Sequence, residues 1–483
     1  MGQAEPKRGL RRAMGFVDLL LFFVITGFGL MWLAKAAEAG PVGVTLWVLG
    51  GLTFFLPLAA CVLELSSRYP GEGGLYLWAR QAFGGFAGFL AGWAYWVSVL
   101  TFLPGVLYFV AGSALFVGGE HWQYLSGDKA YFITASLLGL AVATGLNLVG
   151  LGVGKWLHNV GALGTWLPAL ALMAIGVVVW AEHGPATDLS AEGFVPRLSL
   201  KELVVWPVLV MSLMGLEAAS ILGEEIKDPR RLIPRALACA GVLLLATKIL
   251  GTLAVLAALT PHEAREAGSV GLMQAFAKAA GRAGLAWLLP AVALLVAVGS
   301  LGKVGAWSAA GARLPFVAGV DRCLPAALAR LHPRWGTPYV ALLLQALLVA
   351  ALVVLGQLGT TTRGAYNVFL SMTVIPAFIP FLFLFAALIK VQREPAGPGV
   401  IRVPGGRAVA VPLAVLGLLT TVSALVLIVV TPEDGEDQAL YVTKVVGMAL
   451  VLVGAGVAVY LLGKRQHAQT PASTAAGPGR DGG

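Results

Sequence analysis

Two charged residues stand inside apolar runs where an unpartnered charge would be costly. Glu217 lies in SLMGLEAASILGEEIKDPRRLIP, Ser212 to Pro234, within a run that begins near Leu203, and Lys303 lies in the inner half of a run from about Leu285 to Arg313. Insertion scales put an acidic residue at a membrane helix centre at roughly 2.5 to 3.5 kcal/mol, so Glu217 is expected to face protein or a water-filled cavity and to have a partner. Gly215 weakens the helix at the same depth. A helix broken at mid-membrane exposes N–H and C=O groups that lipid cannot satisfy, and such a break persists where it lines a polar cavity or binds a ligand. The chemistry on offer is recognition of a small ion by backbone dipoles and buried charges. A packing glycine beside one buried carboxylate is the plainer alternative. A second break is expected at Thr26-Gly27-Phe28-Gly29, two glycines within four residues at the midpoint of another apolar run.

These residues have to be carried by membrane-crossing elements. At 483 residues, 58% hydrophobic, 12% charged and with a mean hydropathy of +0.85, the chain has too few charges to cover a soluble globule of its size. About 20 apolar residues cross about 30 Å of hydrocarbon, and the sequence supplies roughly twelve such runs. β-barrel alternation is absent, so the expected fold class is all-α: a polytopic membrane protein of twelve transmembrane helices. Residues 1–14 form an N-terminal tail. Five spans follow in 15–181, at about Gly15 to Ala39, Val42 to Leu65, Gly84 to Val117, Tyr131 to Gly150 and Leu157 to Ala181. After a polar loop at 182–202, five more occupy 203–392: the Glu217 segment, then about Leu232 to Leu259, Leu285 to Arg313, Pro338 to Gly356 and Tyr366 to Lys390. Two further spans, about Val409 to Thr431 and Tyr441 to Leu462, fall in 393–463, and the Ala, Gly, Pro and Thr-rich tail 464–483 is expected to be disordered. SSRYPGEGGLYLWARQAFG, after span two, reads as a Gly-rich turn and a short amphipathic helix, and a surface helix is expected before span eight. Five spans with a broken first member, repeated, form the pattern of an inverted repeat, because an odd number of crossings flips the second set. Substrate then sits between the two breaks.

Lys7, Arg8, Arg11 and Arg12 precede the first span and no small-residue cleavage site follows it, so that span is expected to be retained. Basic residues gather in segments assigned to one side, among them Arg68, Arg80, Lys155, Lys227, Arg230, Arg231, Lys390, Arg402 and Lys464. This positive-inside asymmetry accounts for the net charge of +9 without a nucleic-acid partner and puts both termini in the cytoplasm, with the chain in the plasma membrane. Cys61, Cys239 and Cys323 show no metal spacing and read as inert thiols. The six histidines are dispersed among loops and interfaces, and no Ser/His pairing or nucleotide loop is visible, so an enzyme is disfavoured and no catalytic residue, metal or cofactor is expected. A channel is disfavoured for want of a filter motif. Asp18, Lys35 and Glu38 read as snorkelling from the ends of span one. Lys155 and His158 read as the charged entrance of span five, Lys248 as a buried pair or a snorkelling residue with a pathway residue as the alternative, and the aromatic run of span three, Trp93, Tyr95, Trp96, Phe102 and Tyr108, as packing with a substrate wall as the alternative.

Five sequence pieces point further: LELSSRYPGEGGLYLWA from Leu63, MGLEAASILGEEIKDPRRLIPRA from Met214, SVGLMQAF from Ser269, ARLPFVAGVDRCLP from Ala312 and RVPGG from Arg402. On them the chain resembles the amino acid, polyamine and organocation (APC) transporter superfamily, and most of all the bacterial glutamate/GABA antiporter group, over nearly its whole length. The resemblance implies a LeuT-like five-plus-five inverted repeat with helices one and six unwound. It also implies a secondary active transporter of amino acids or related small organic ions, working by alternating access as an antiporter or proton-coupled symporter. A polyamine or organic-anion transporter of the same fold is the alternative. In such relatives the substrate carboxylate is held by N–H groups of the first break, here Thr26, Gly27, Phe28 and Gly29. The amino group is held by carbonyls of the sixth, here from Met211 through Ser212 and Met214 to Gly215. Two antiparallel breaks, one offering helix N-terminal and one C-terminal partial charge, make a zwitterion receptor. Trp307, at the matching distance before Leu324-Pro325, would close the site, a packing tryptophan being the alternative. The implied partners are an amino acid or amine substrate, protons as a candidate coupling ion, and membrane lipids, with the protein a monomer or homodimer.

Two departures mark this sequence within the resemblance. Many sodium-independent relatives carry a lysine in span five where sodium sits in others, and the matching position here is Trp166. Lys303, one turn before Trp307, stands where the glutamate/GABA antiporters have an acidic residue. Three roles are open to it: replacing the missing cation, pairing with Glu217, or binding a second substrate carboxylate. Glu217 itself is expected to stabilise the second break rather than to touch substrate.

Overall fold

The computed structural model describes residues 10, 12–197, 199–267, 271–358, 361–430 and 438–469, and within them the chain is helical, with a single isolated β-bridge between Met14 and Ile226. Helices are what an apolar chain must form in hydrocarbon, since only then does each segment satisfy its own backbone. The first run folds as α1 (Phe16–Gly27) and α2 (Met31–Ala37), bent by 41° at Phe28–Leu30. The second is α3 (Val42–Gly50) and α4 (Leu56–Arg68), joined by a π-helical turn at Gly51–Phe55 just before Pro57, which has no N–H to give that turn. The expected amphipathic helix is α5 (Leu75–Phe83), followed by α6 (Gly85–Leu115), α7 (Lys129–Leu148) and α8 (Leu151–His183). Next come α9 (Leu200–Ser212) and the single-turn α10 (Ala218–Ile221), then α11 (Pro229–Ala258), α12 (Pro261–Ala267) and α13 (Gly271–Arg282). The chain continues through α14 (Leu289–Val320), α15 (Tyr339–Gly356), α16 (Thr362–Val391), α17 (Arg407–Val430) and α18 (Gln438–Gln469).

Ten of these helices are long and apolar enough to cross a membrane, and the bent α1–α2 pair makes an eleventh. The expected twelfth, span six, is not a continuous helix. Its apolar part is Glu202–Ser212, about 17 Å at 1.5 Å per residue, because the chain unwinds between Ser212 and Ala218. Helix α18 runs on to Gln469, past the expected stop at Leu462, so residues up to 469 are helical rather than disordered, while 470–483 lie outside the described residues. The membrane window of α6 is 78% buried against 11% for α18, which makes α6 a central post and α18 an outer helix.

Helices α8 and α14 approach at backbone distance where Gly161 and Gly164 meet Gly299 and Gly302. A Cβ built on Gly164 would lie 2.8 Å from Leu295 O, and one on Gly299 would lie 2.6 Å from Thr165 N. Association in lipid relies on such backbone approach, since apolar surface gains nothing by leaving lipid.

Charges read from sequence as snorkelling or loop residues turn out to be ties. The Asp18 carboxylate accepts from Lys155 Nζ and Asn159 Nδ2, both at 2.9 Å, pinning α1 to α8. Its side chain is partly covered by α8, and Lys155 lies inside that helix rather than in a loop. Lys35 pairs with Glu38 at 2.9 Å. Glu64, fully buried at the end of α4, accepts from Arg68 Nη2 (3.1 Å), Gln392 Nε2 (2.8 Å) and Val403 N (3.1 Å), so the LELSSR and RVPGG pieces form one structural unit. At the same end of the bundle, Ala13 and Met14 donate to Glu225 O and Lys227 donates to Met14 O, docking the start of the chain beside the segment after α10.

Candidate substrate site

The two breaks touch. Gly215 has a φ of +117°, a conformation open to glycine, and a Cβ there would lie 2.6 Å from Thr26 O. Thr26 Oγ1 donates to Phe22 O (2.8 Å) and to Gly215 O (3.0 Å), joining α1 to the second break. The Gly215 amide has lost its helical acceptor, because Met211 O takes Met214 N instead. Glu217 replaces that acceptor: Gly215 N lies 3.0 and 2.9 Å from its two oxygens, and Tyr95 Oη donates to Oε1 at 2.6 Å. The carboxylate is fully buried yet satisfied, which is how the sequence tolerates it.

At each break one carbonyl that has lost its helical partner is capped by a lysine. Trp32 N bonds to Gly29 O, leaving Phe28 O to accept from Lys303 Nζ. Ser212 O accepts from Lys248 Nζ at 2.8 Å, and that ammonium lies 4.8 Å from the Trp47 ring centroid and 5.9 Å from that of Phe28. Lys248 is fully buried and forms neither of the expected arrangements: it does not snorkel, and a carbonyl and two aromatic faces stand in for a carboxylate. No ion pair joins Lys303 to Glu217 among the described residues, since Glu217 is committed to Gly215 and Tyr95.

Beside these groups lies a small, partly open cavity. Of the sequence candidates, Thr26, Met211, Ser212, Met214, Glu217, Lys303 and Trp307 line it, while Gly27, Phe28, Gly29 and Gly215 shape the backbone behind its wall. The amides of Gly29 and Leu30 make no hydrogen bond among the described residues, nor do the carbonyls of Leu213 and Met214 accept one. Of the carbonyls expected to bind an amine, those of Met211, Ser212 and Gly215 are engaged within the protein. Trp307 packs between Tyr95 and Phe102, with ring centroids 6.0 and 5.8 Å away. Trp166, by contrast, donates to Thr247 on α11 and does not line the cavity.

The opposite wall comes from span three, whose aromatic run the sequence favours as packing with a substrate wall as the alternative. Tyr95, Ser98, Val99 and Phe102 line the cavity from α6 and fall at i, i+3, i+4 and i+7, a single helical stripe, with Thr373 and Ala377 on α16 beyond them. The stripe was visible in the sequence, but α6 is aromatic all round and nothing local says which face is wet.

A search against known families matches residues 14–455 to the amino acid permease family model. The chain belongs to the amino acid permease family. An uncharacterized transporter of Legionella pneumophila is 28% identical over 88% of this chain and 91% of its own length. An uncharacterized transporter of Mycobacterium tuberculosis is 31% identical over 74% of this chain and 77% of its own length. A glutamate/gamma-aminobutyrate antiporter of Lactococcus lactis is 25% identical over 80% of this chain and 78% of its own length. This permease is therefore a multi-span membrane transporter and not an enzyme, and its family implies small amino acid or amine substrates.

Proposed function

We propose that this permease carries an amino acid or a related small organic ion by alternating access, with its substrate bound between the two breaks. The observation that carries this reading is the convergence of both unwound segments on one cavity, with free amides on the first break and free carbonyls on the second. In this reading a carboxylate goes to the Gly29 and Leu30 amides and an ammonium to the Leu213 and Met214 carbonyls, of which Met214 lines the cavity as it stands. Trp307, held between Tyr95 and Phe102, closes the site in this reading. Residues 15–181 and 203–392 are then the two inverted repeats, and the basic end of the bundle, with both termini, faces the cytoplasm.

Lys303 acts in this reading as the fixed cation at the first break, the role left vacant by Trp166. Its ammonium has three donors, one of which goes to Phe28 O, and it lines the cavity. Exchange of one amino acid for a related one, as the name of the Lactococcus relative suggests, is consistent with such a site. The test is proteoliposome counterflow against a panel of amino acids, amines and small carboxylates. A saturable flux accelerated by substrate on the far side is expected. A flux linear in concentration and indifferent to the far side would overturn the carrier reading.

A further inference from the structure

Eight residues beyond Glu217, the chain reaches a second cluster of buried charge that the substrate site does not use. Glu72, in the turn between α4 and α5, Glu225, after α10, and Arg313, on α14, are 7%, 2% and 0% exposed. Arg313 Nε donates to Glu225 Oε1 at 2.7 Å and its Nη1 to Ala309 O at 2.7 Å. Glu72 Oε2 accepts from Glu224 N at 3.0 Å. Its other oxygen, Oε1, lies 3.8 Å from Arg313 Nε and has no hydrogen-bond partner among the described residues. The cluster thus holds two buried carboxyl groups, one guanidinium already committed to the nearer of them, and one carboxyl oxygen with nothing to accept from.

The segments that carry these groups form a seal at one end of the bundle. Gly73 N donates to Ile221 O at 3.0 Å, and Ala13 and Met14 donate to Glu225 O at 2.9 and 3.1 Å. The start of the chain, the turn before α5, the segment after α10 and α14 therefore meet around the three side chains. Opening this mouth by parting the turn before α5 from the end of α10 and the segment after it would break the Gly73–Ile221 and Glu72–Glu224 bonds and expose the three side chains. The charged groups facing Glu72 are Glu224 and Glu225 from one segment and Arg313 from α14, with the His158 ring of α8 on the far side of Arg313. Burial, then the neighbouring Glu225, push the Glu72 carboxyl well above the usual glutamate range, and Arg313 only partly opposes this. Glu225 is raised by burial too, but its direct bond to Arg313 favours its ionised form.

We propose that the Glu72–Glu225–Arg313 cluster is a proton-binding site that holds one proton, on Glu72, while this mouth is shut and releases it when the mouth opens. The proposal rests on the alternating-access reading. Its sign follows from linkage: a carboxyl whose pKa is higher in the shut form binds its proton there, so falling pH favours the shut form and rising pH favours opening. Released to the side that this mouth faces, the proton links the direction of opening to pH without passing through Lys303.

The test is hydrogen–deuterium exchange of the full-length protein in lipid nanodiscs, followed over residues 71–80 and 221–228 between pH 5.5 and 8.5 and corrected for intrinsic exchange. The opening constant of the wild type should rise with pH, by at most about tenfold per unit for one proton. Glu72→Gln keeps the oxygen that accepts Glu224 N and mimics the protonated acid, and it should hold the mouth shut with less than about twofold change across the range. In Glu225→Gln, Arg313 becomes free to pair with an ionised Glu72, and the pH slope should again be lost. A wild-type constant that varies less than twofold, or a Glu72→Gln protein with the wild-type slope, overturns the proton site. Exchange that responds to a transported substrate but not to pH overturns it while leaving alternating access standing. Exchange that responds to neither overturns both.

Discussion

Thr26 and Gly215, 189 residues apart in the chain, are joined by a 3.0 Å hydrogen bond from the threonine hydroxyl to the glycine carbonyl. The bond requires two unwound segments to pass at backbone distance, which gives the glycines of the two breaks unequal roles. Gly215→Ala meets both a left-handed φ and the Thr26 carbonyl, and should abolish uptake while leaving membrane insertion intact. Gly29→Val drives its Cβ to 2.8 Å from the Trp32 ring and 3.2 Å from Lys303 Nζ and should do the same. Gly27→Val meets only the end of the Leu244 side chain, at 2.9 Å, and should retain more activity than either. Uptake assays with surface expression as control decide this, and normal transport by Gly215→Ala would remove the second break from the site.

Glu217 serves as the acceptor for a broken turn, so its shape matters more than its charge. Glu217→Gln keeps one oxygen for Gly215 N and should lower transport less than Gly215→Ala does. Glu217→Ala strands a buried amide, at a cost of about 1 to 3 kcal/mol, and should lower both the unfolding temperature and the transport rate. Tyr95→Phe should fall between the two. A fully active Glu217→Ala protein would show the carboxylate to be incidental.

Lys303 is tested by uptake against pH with neutral and acidic substrates. Lys303→Met is expected to lose transport of both, because Phe28 O loses its donor. Lys303→Arg should still bind but lose any pH response that resides in the ammonium. Loss confined to acidic substrates would instead assign the ammonium to a second carboxylate, and wild-type rates in Lys303→Met would end its role.

Glu64 predicts a stability effect remote from transport chemistry. Removing one partner of a buried ion pair costs about 3 to 5 kcal/mol, and here the carboxylate also holds Gln392 and the Val403 amide. Glu64→Ala should therefore lower the unfolding temperature markedly and expose the segment after α16 to protease. Glu64→Gln should do so less.

On the α12–α13 hairpin, Lys278 and then the Thr260 amide hold the Glu263 carboxyl down at about 2. A depressed carboxyl stabilises the folded state fully above its ordinary pKa and loses that contribution as pH falls toward 2. The pair is about a third exposed, so its contribution is below about 1 kcal/mol. Lys278→Met should lower the unfolding temperature slightly at pH 7, with the difference from wild type shrinking below about pH 4.

Much of this was legible in the sequence because a glycine that falls beside a buried charge or a second glycine at the middle of an apolar run points to a break. Both breaks, the amphipathic α5 and the cavity positions Thr26, Met211, Met214, Lys303 and Trp307 followed from that signal and from the family resemblance. What the sequence withheld was the partner of each charge. Asp18 finds Lys155, and Lys248 finds Ser212 O, through contacts between helices far apart in the chain, and no local pattern encodes which face of α8 or α11 turns toward α1 or α9. Which stripe of α6 faces the cavity was hidden for the same reason, and span six, expected to be broken, leaves only the short apolar helix Glu202–Ser212.

The glycine seam between α8 and α14 places Lys303 one residue beyond Gly302 and one turn beyond Gly299, so the reach of that ammonium to Phe28 depends on how closely the two backbones lie. A single methyl group at Gly161, Gly164, Gly299 or Gly302 would act as a spacer and shift the lysine without touching any residue that meets the cargo. Selections for altered cargo in this protein should accordingly return alleles in the seam, and a map of preference drawn only from cavity-lining positions would leave them out.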